Sequence, residues 1–460
     1  MWENDTIAAI STPSAAGGIG VIRISGPKAL EVGDKIFVPI SGKPLWQHKG
    51  YTCAFGYVTD GAEKLDEAVA SVFRAPKSYT GEDVVELSCH GGVFLLERVL
   101  QSALRHGAVL AGPGEFTKRA FVNGKMDLTQ AEAVMDLIRA DSDNGVRAAL
   151  AGHEGHLSQE SGRLSRQLVE IAGHLAAWVD YPEEDIEDIT ASQLCSQVEE
   201  TLHALQGLLR SYGSGRMIRE GITAAIVGRP NVGKSTLMNL LARYQRSIVT
   251  DIPGTTRDVV EDSIRIGGYI LRLADTAGLR ETKDQVEAMG VALSRQRLES
   301  SDLVLAVFDI SHGLEQEDFD LLEQLRGRTA IAVCNKSDLS QSQQFQQQLS
   351  RLQEYLPYAV VMSAKNGDGL EELERLIPQV LGLSRVDPSA AMVANERQRQ
   401  CVIRAVTALE QARQAILDGV TWDAVAVCVD DAIGALMEMD GKSVSEEVVA
   451  NVFARFCVGK

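Results

Sequence analysis

The sequence predicts a multidomain chain: an α+β N-terminal domain, then an all-α helical domain into which a doubly wound α/β domain is inserted. Three observations predict it. At 460 residues the chain exceeds what one hydrophobic core supports. Apolar stripes of helical period occur twice, before residue 215 and after residue 380. Between them lie short, nearly continuous apolar runs, each followed by a helix-length stretch, as parallel strands buried on both faces require.

In residues 1–118, strands are expected at Gly20–Ser25, Tyr51–Val58, Glu67–Arg74 and Val84–Cys89, with helices near Pro27–Phe37 and Val93–His106. In 119–215, Leu157, Leu164, Leu168, Ile171, Leu175 and Val179 share one helix face. Leu194, Val198, Leu202, Leu205 and Leu209 share another, with Pro182 as a break and Thr190 as a restart cap. In 381–460, Val402, Ala405, Leu409, Ala412 and Ile416 make a stripe, as do Trp422, Ala426, Val429, Ile433 and Leu436. Each stretch offers the apolar face the other needs, so the two are expected to form one bundle. The inserted segment, 216–380, has strands at Ile222–Val227, Leu303–Phe308, Thr329–Val333 and Tyr358–Met362. Gly267-Gly268 joins Ile264–Ile266 to Tyr269–Ala274 as a hairpin that adds one antiparallel edge.

A hydrophobic fraction of 45% with 23% charged residues excludes a disordered or fibrous chain. Lys+Arg 45 against Asp+Glu 63 gives 45 − 63 = −18, which argues against a general polyanion binder. The 7 cysteines form no CxxC pair, so zinc or dithiol chemistry is not indicated. No apolar run approaches the roughly 18–20 residues that span a bilayer. The N-terminus lacks a basic segment followed by an apolar core, so a reduced, cytoplasmic location is expected.

Chemistry enters at Gly228-Arg-Pro-Asn-Val-Gly-Lys-Ser235, which fits GxxxxGK[ST] directly after a strand. In such a P-loop the backbone N–H groups of Asn231, Val232, Gly233 and Lys234, with Ser235 and Thr236 opening the helix behind them, cradle nucleotide phosphates. The Lys234 ammonium reaches the β- and γ-phosphates and the Ser235 hydroxyl ligates Mg²⁺. Asp275-Thr276-Ala277-Gly278 ends the hairpin strand, where the carboxylate can hold Mg²⁺ through water and the Gly278 N–H can sense the γ-phosphate. Asn335-Lys336-Ser-Asp338 follows a strand. The Asp338 carboxylate can accept from guanine N1–H and its 2-amino group, which adenine cannot offer. Ser363-Ala364-Lys365 follows the last strand and can present N–H groups to guanine O6. Thr256, within Gly254-Thr-Thr-Arg-Asp258, is a second Mg²⁺ ligand candidate. The ordered set indicates a GTP-binding P-loop domain.

Leu279 stands where many GTPases carry the Gln that orients the attacking water. Glu287 is a candidate substitute, although spacing alone favours a helix-surface carboxylate there.

VIRISG at Val21–Gly26, YTGEDVVEL at Tyr79–Leu87, PGEFTKRAF at Pro113–Phe121, the GTPase motifs and the terminal Phe456-Cys-Val-Gly-Lys460 resemble, over the whole chain, the bacterial tRNA wobble-uridine modification GTPases of the MnmE (TrmE) family. The resemblance implies a GTP-hydrolysing subunit that works with an FAD-dependent partner, MnmG, as a heterotetramer. The pair would add a carboxymethylaminomethyl or aminomethyl group at C5 of the wobble uridine of certain tRNAs, using a tetrahydrofolate one-carbon unit. It places the folate site at Arg23, Glu86, Lys125 and Lys460, with Glu86 suited to the pterin edge and Arg23 or Lys125 to the anionic tail. It implies a K⁺ ion held by Asn231 and by Thr250, Ile252 and Thr255, counts Asp251, Pro253 and Gly254 among the nucleotide contacts, and makes Glu287 catalytic. It also implies a homodimer built on the N-terminal domain. Two roles stay open for Cys457: a thiolate that adds to uridine C6, or a small tail residue beside the folate site. A second reading, a GTP-controlled RNA- or ribosome-assembly switch, shares the GTPase motifs but would more naturally carry a basic RNA-binding module.

Overall fold

The computed structural model describes residues 5–180, 190–246, 263–273, 301–339 and 342–459. The N-terminal sheet has seven strands: β1 (Ile7–Ile10), β2 (Gly17–Ser25), β3 (Phe37–Pro39), β4 (Thr52–Asp60), β5 (Glu63–Phe73), β6 (Val84–Gly91) and β7 (Val109–Leu110), in the order β3-β4-β5-β6-β2-β1-β7. Every pairing is antiparallel except β1 with β7. Alternation decides its faces. Ile22, Ile24, Ala70, Val72, Val85 and Leu87 point to one side, where helices Ala29–Ile36 and Val93–Arg105 cover them. Ala9, Arg23 and Glu86, adjacent in register, occupy the other. Strands β1, β3 and β7 are too short for a period-2 signal and were not expected.

The second sheet comprises β8 (Ile222–Val227), β9 (Ser263–Ile266), β10 (Tyr269–Leu273), β11 (Leu303–Asp309), β12 (Ala330–Asn335) and β13 (Ala359–Val361), ordered β13-β12-β11-β8-β10-β9. It is parallel apart from β9, the expected antiparallel edge. Strand β11 is buried throughout because Leu303, Leu305 and Val307 face one core while Val304, Ala306 and Phe308 face another. Helices on both sides complete a doubly wound fold.

The two helical stretches share one core. Leu164, Leu168, Ile171 and Leu175 of His156–Asp180 and Leu194, Val198 and Leu205 of Ala191–Glu220 pack with Val402, Ala405 and Leu409 of Glu396–Leu417 and Val429, Ala432 and Leu436 of Trp422–Asp440. Thr190 caps its helix reciprocally with Gln193, as the sequence indicated. Val179 does not join this core. It is 44% exposed, in the last turn of its helix. Two expected junctions also move. Residue 118 lies inside the helix Glu115–Val122, and residue 215 inside Ala191–Glu220, which ends at Gly221. Hydrogen-bonded turns continue through both positions, so neither is a linker.

Candidate functional site

The expected nucleotide residues that fall in the described segments gather at the carboxyl ends of β8, β12 and β13, where open α/β sheets bind ligands. The loop after β8 needs its glycines. A Cβ on Gly228, at φ 148°, would stand 2.4 Å from the Val307 carbonyl oxygen. One on Gly233, at φ 102°, would stand 2.2 Å from Asn335 Nδ2. Asn231 holds φ 63° without being glycine, a conformation that costs about 1–3 kcal/mol and persists only where the surroundings impose it. Lys234 Nζ donates to the carbonyls of Gly228 at 2.7 Å and Arg229 at 2.9 Å, so the ammonium already sits inside the loop. Burial pushes its pKa down, as for a cation kept for an anionic ligand. Ser235 and Thr236 are exposed at the helix start, open to solvent.

Asn335 is a rivet rather than a base reader. At 2% exposure, its Nδ2 donates to the Val232 carbonyl at 2.8 Å and its Oδ1 accepts from the Ala364 N–H at 2.9 Å. The Ser363 N–H donates to the Asp368 carbonyl at 3.0 Å. Two of the three N–H groups expected to serve guanine O6 are therefore engaged within the protein. The Lys365 N–H is then the remaining donor of the three, unless Asn335 yields its bond. Ser363 Oγ donates to Asp338 Oδ1 at 2.8 Å and so aims that carboxylate. Lys336 Nζ meets Asp309 Oδ2 at 2.6 Å. Sequence reasoning passed over Asp309 and the Ser363 hydroxyl's role; a polar residue closing an apolar strand was the available signal for the first. Thr250, Asp251, Ile252, Pro253, Gly254, Thr255, Thr256, Asp275, Thr276, Ala277, Gly278, Leu279, Glu287 and Lys460 lie outside the described residues.

A second constellation stands on the N-terminal sheet. Arg23 Nε and Glu86 Oε1 are 2.7 Å apart, and the Arg23 guanidinium lies 5.5 Å from the ring centroids of both Tyr79 and Phe116. Tyr79 shares a hydrogen bond with Thr117 at 2.9 Å, and burial pushes its phenol pKa up. A ligand placed here would meet both side chains at one end, whereas the expectation set Glu86 and Arg23 at opposite ends of a folate. Lys125 is not brought to the pair; its Nζ donates to the Pro76 carbonyl at 3.1 Å.

The carboxyl-terminal tail returns to this module. Phe456 is buried beside Phe453 and Leu128, the Gly114 N–H donates to the Cys457 carbonyl at 3.2 Å, and Val458 bridges to Pro113. Ser11 Oγ donates to the Gly459 carbonyl at 3.1 Å, and a Cβ on Gly459, at φ 92°, would stand 2.3 Å from the Ile10 carbonyl oxygen. Ile10 is one residue from Ala9, the register partner of Arg23. Cys457 is half-buried in this tail.

Comparison with known proteins identifies the family of the chain that carries these constellations. Residues 6–125 match the family model described as GTP-binding protein TrmE N-terminus, and residues 128–457 match that of the MnmE helical domain. A tRNA modification GTPase MnmE of Symbiobacterium thermophilum is 45% identical over 460 residues, covering 99% of each chain. The chain belongs to the tRNA modification GTPase MnmE family. Relatives of the same description from Carboxydothermus hydrogenoformans and Acetivibrio thermocellus are 41% and 40% identical, covering at least 99% of each chain. Membership makes the chain a GTPase, consistent with the P-loop cradle and the guanine-type motifs at the strand ends. The arginine–carboxylate pair falls in the first matched segment, and the second runs into the returning tail as far as Cys457. Among the described residues no helix is long and apolar enough to cross a membrane.

Proposed function

We propose that this chain hydrolyses GTP to drive modification of tRNA, acting with an FAD-dependent MnmG partner to add a carboxymethylaminomethyl or aminomethyl group at C5 of the wobble uridine. The observation that supports it most is the tail of the helical domain threaded against β1, one residue from the register partner of Arg23. A simple assembly switch has no use for a bundle whose end is built into a second polar site.

The residues suit the groups this chemistry needs. The cradle has no room for a side chain at Gly228 or Gly233, and Lys234 stands within it, as a triphosphate with Mg²⁺ on Ser235 and Thr256 requires. At the second site a flat amino-pyrimidinone ring, as in a tetrahydrofolate derivative, could offer N–H donors to Glu86, whose carboxylate Arg23 orients. Lys125 and Lys460 would take the anionic end. The folate's contribution, when bound, is a one-carbon unit. Asn231, with Thr250, Ile252 and Thr255, would hold a K⁺ ion whose charge offsets that of the transferring phosphoryl group, and Glu287 would position the attacking water. We further propose a cytoplasmic homodimer joined through the N-terminal domain, with the GTP-binding unit inserted between the two helical segments after the helix Ala191–Glu220. Cys457 remains in this proposal as the candidate nucleophile.

The test is mass spectrometry of wobble nucleosides in tRNA from cells lacking the gene, with and without a restored copy. Loss of the C5 substituent, regained on restoration, is expected. Unaltered anticodons would refute the reading and leave a GTPase of another purpose.

A further inference from the structure

We infer that Asp309, at the carboxyl end of β11, is a positioning residue for the nucleotide base: it grips the Lys336 ammonium so that the lysine's methylene stem stands ready as one wall of the guanine pocket. The inference rests on the GTP reading above and deepens it.

Asp309 is 7% exposed and its carboxylate is crowded with donors. Lys336 Nζ donates to Oδ2 at 2.6 Å, while Ser311 Oγ and the Ser311 N–H donate to Oδ1 at 2.5 and 3.0 Å. His312 Nδ1 lies 3.8 Å from Oδ2 on the exposed side. A buried carboxylate with donors on both oxygens is a fixed point.

Lys336 is pinned at its other end as well. Its backbone holds φ 65°, the left-handed region that a lysine rarely adopts. Neighbouring bonds impose it. Asn335 is riveted between Val232 and Ala364, the Ile310 N–H donates to the Asn335 carbonyl at 3.1 Å, and the Leu339 N–H donates to the Lys336 carbonyl at 3.0 Å. A lysine fixed at both backbone and ammonium leaves its four methylenes as a short, stiff, apolar bar. Asp338, two residues on and aimed by Ser363, supplies the edge contact, so bar and carboxylate leave the same strand end.

The physical gain is preorganisation. A free lysine would surrender its rotamer freedom at each binding event, whereas the anchored one has surrendered it on folding. The anchor also neutralises the ammonium, so an uncharged base meets an apolar surface.

Binding of fluorescently labelled GDP and GTP to the full chain tests this. Asp309→Asn should raise both Kd values about tenfold, the loss expected for one charge-assisted anchor. The ratio of guanine to xanthine nucleotide affinity should hold, because Asp338 is untouched, and KM should rise by a larger factor than kcat falls. Lys336→Met, which keeps a stem but frees its end, should behave alike. The double variant should be no more than about twofold worse than either single change, because both remove one interaction. Affinity within twofold of wild type in a normally folded Asp309→Asn protein would overturn the inference, as would single effects that multiply to about a hundredfold. If Asp309→Asn fails to fold, Ser311→Ala removes one of the donors and should raise Kd about threefold; unchanged affinity there refutes the anchor. A wild-type chain that binds labelled adenine nucleotides as well as guanine ones would instead overturn the guanine reading itself.

Discussion

Replacing Gly459 with alanine should release the tail from the N-terminal module. At φ 92° an alanine is strained by about 1–2 kcal/mol before any contact is considered. Its Cβ would stand 2.3 Å from the Ile10 carbonyl oxygen. That oxygen cannot retreat easily, because Ile10 is paired in register with Ile22. The tail must lift, losing the Ser11–Gly459 hydrogen bond, worth about 0.5–1.5 kcal/mol. With the Val458–Pro113 bridge loosened too, docking should weaken by roughly 2–4 kcal/mol, or about 30- to 800-fold in the undocked population. Hydrogen exchange reads this directly, because the Gly114 N–H donates to the Cys457 carbonyl. That amide should exchange faster in Gly459→Ala by a similar factor, while the core amides of β2 and β6 keep their protection. GTP hydrolysis should persist and wobble modification should fail. An unchanged Gly114 exchange rate would refute the docking argument, and normal modification with a freed tail would refute its functional reading.

Ser363→Ala should leave Asp338 unaimed and weaken guanine nucleotides about three- to tenfold by fluorescence titration; an unchanged Kd would show that Asp338 is held otherwise. Asp338→Asn should lose the preference for guanine, since the acceptor facing N1–H becomes a mixed group; retained GTP selectivity over xanthosine triphosphate would count against the pocket. Hydrolysis should run faster in K⁺ than in Na⁺, and Glu287→Ala should bind GTP yet turn over poorly. Equal rates in the two salts, or normal turnover in that variant, would remove the respective assignment. Asp309 gives an acid limb. Burial alone would raise its pKa, but hydrogen bonds from Lys336 and Ser311 hold it below the ordinary carboxylate value. A depressed folded pKa means stability present above the unfolded value, about 4, and lost as pH falls through the folded one. Thermal unfolding between pH 6 and 3 should show this loss in the wild type and less of it in Asp309→Asn; superimposable profiles would dismiss it.

The α/β unit was legible because its strands are buried on both faces: Leu303–Phe308 cannot be read as anything that touches water. The phosphate loop was legible because a Cβ at Gly228 or Gly233 would stand 2.4 or 2.2 Å from a neighbour, and a fit that tight leaves a glycine spacing in the sequence. The bundle was legible from its stripes: 3.6-residue periodicity put Leu164 and Leu409 on apolar faces, and the need of each face for a partner joined them in one core. What periodicity cannot carry is pairing between distant polar groups. Arg23 and Glu86 are 63 residues apart and meet through the β2–β6 register. Asp309 and Lys336 meet for the same reason across β11 and β12, since Asp309 stands opposite Asn335. Lys125 shows the converse, a charge that looked suited to the anionic tail of a folate but whose ammonium donates to the Pro76 carbonyl.

The helix Ala191–Glu220 joins the two halves of the chemistry because it is bonded to both sides within one turn. Arg219 Nε meets Asp136 Oδ1 of the helix Leu128–Arg139 at 2.6 Å. One turn earlier, Arg216 pairs with Asp302, whose other oxygen accepts from the Thr223 N–H of β8 at 2.9 Å. The first bond ties the helix end to the helical domain, the second to the sheet that carries the phosphate loop. Asp136 is largely buried, and burial pushes its carboxyl pKa up even beside the arginine. Separating that pair would strand a buried charge, which costs about 3–5 kcal/mol. The sheet that carries the phosphate loop and the helical domain are therefore bonded to the same end of one helix, so a displacement of β8 would have to strain these bonds or carry the helix with it.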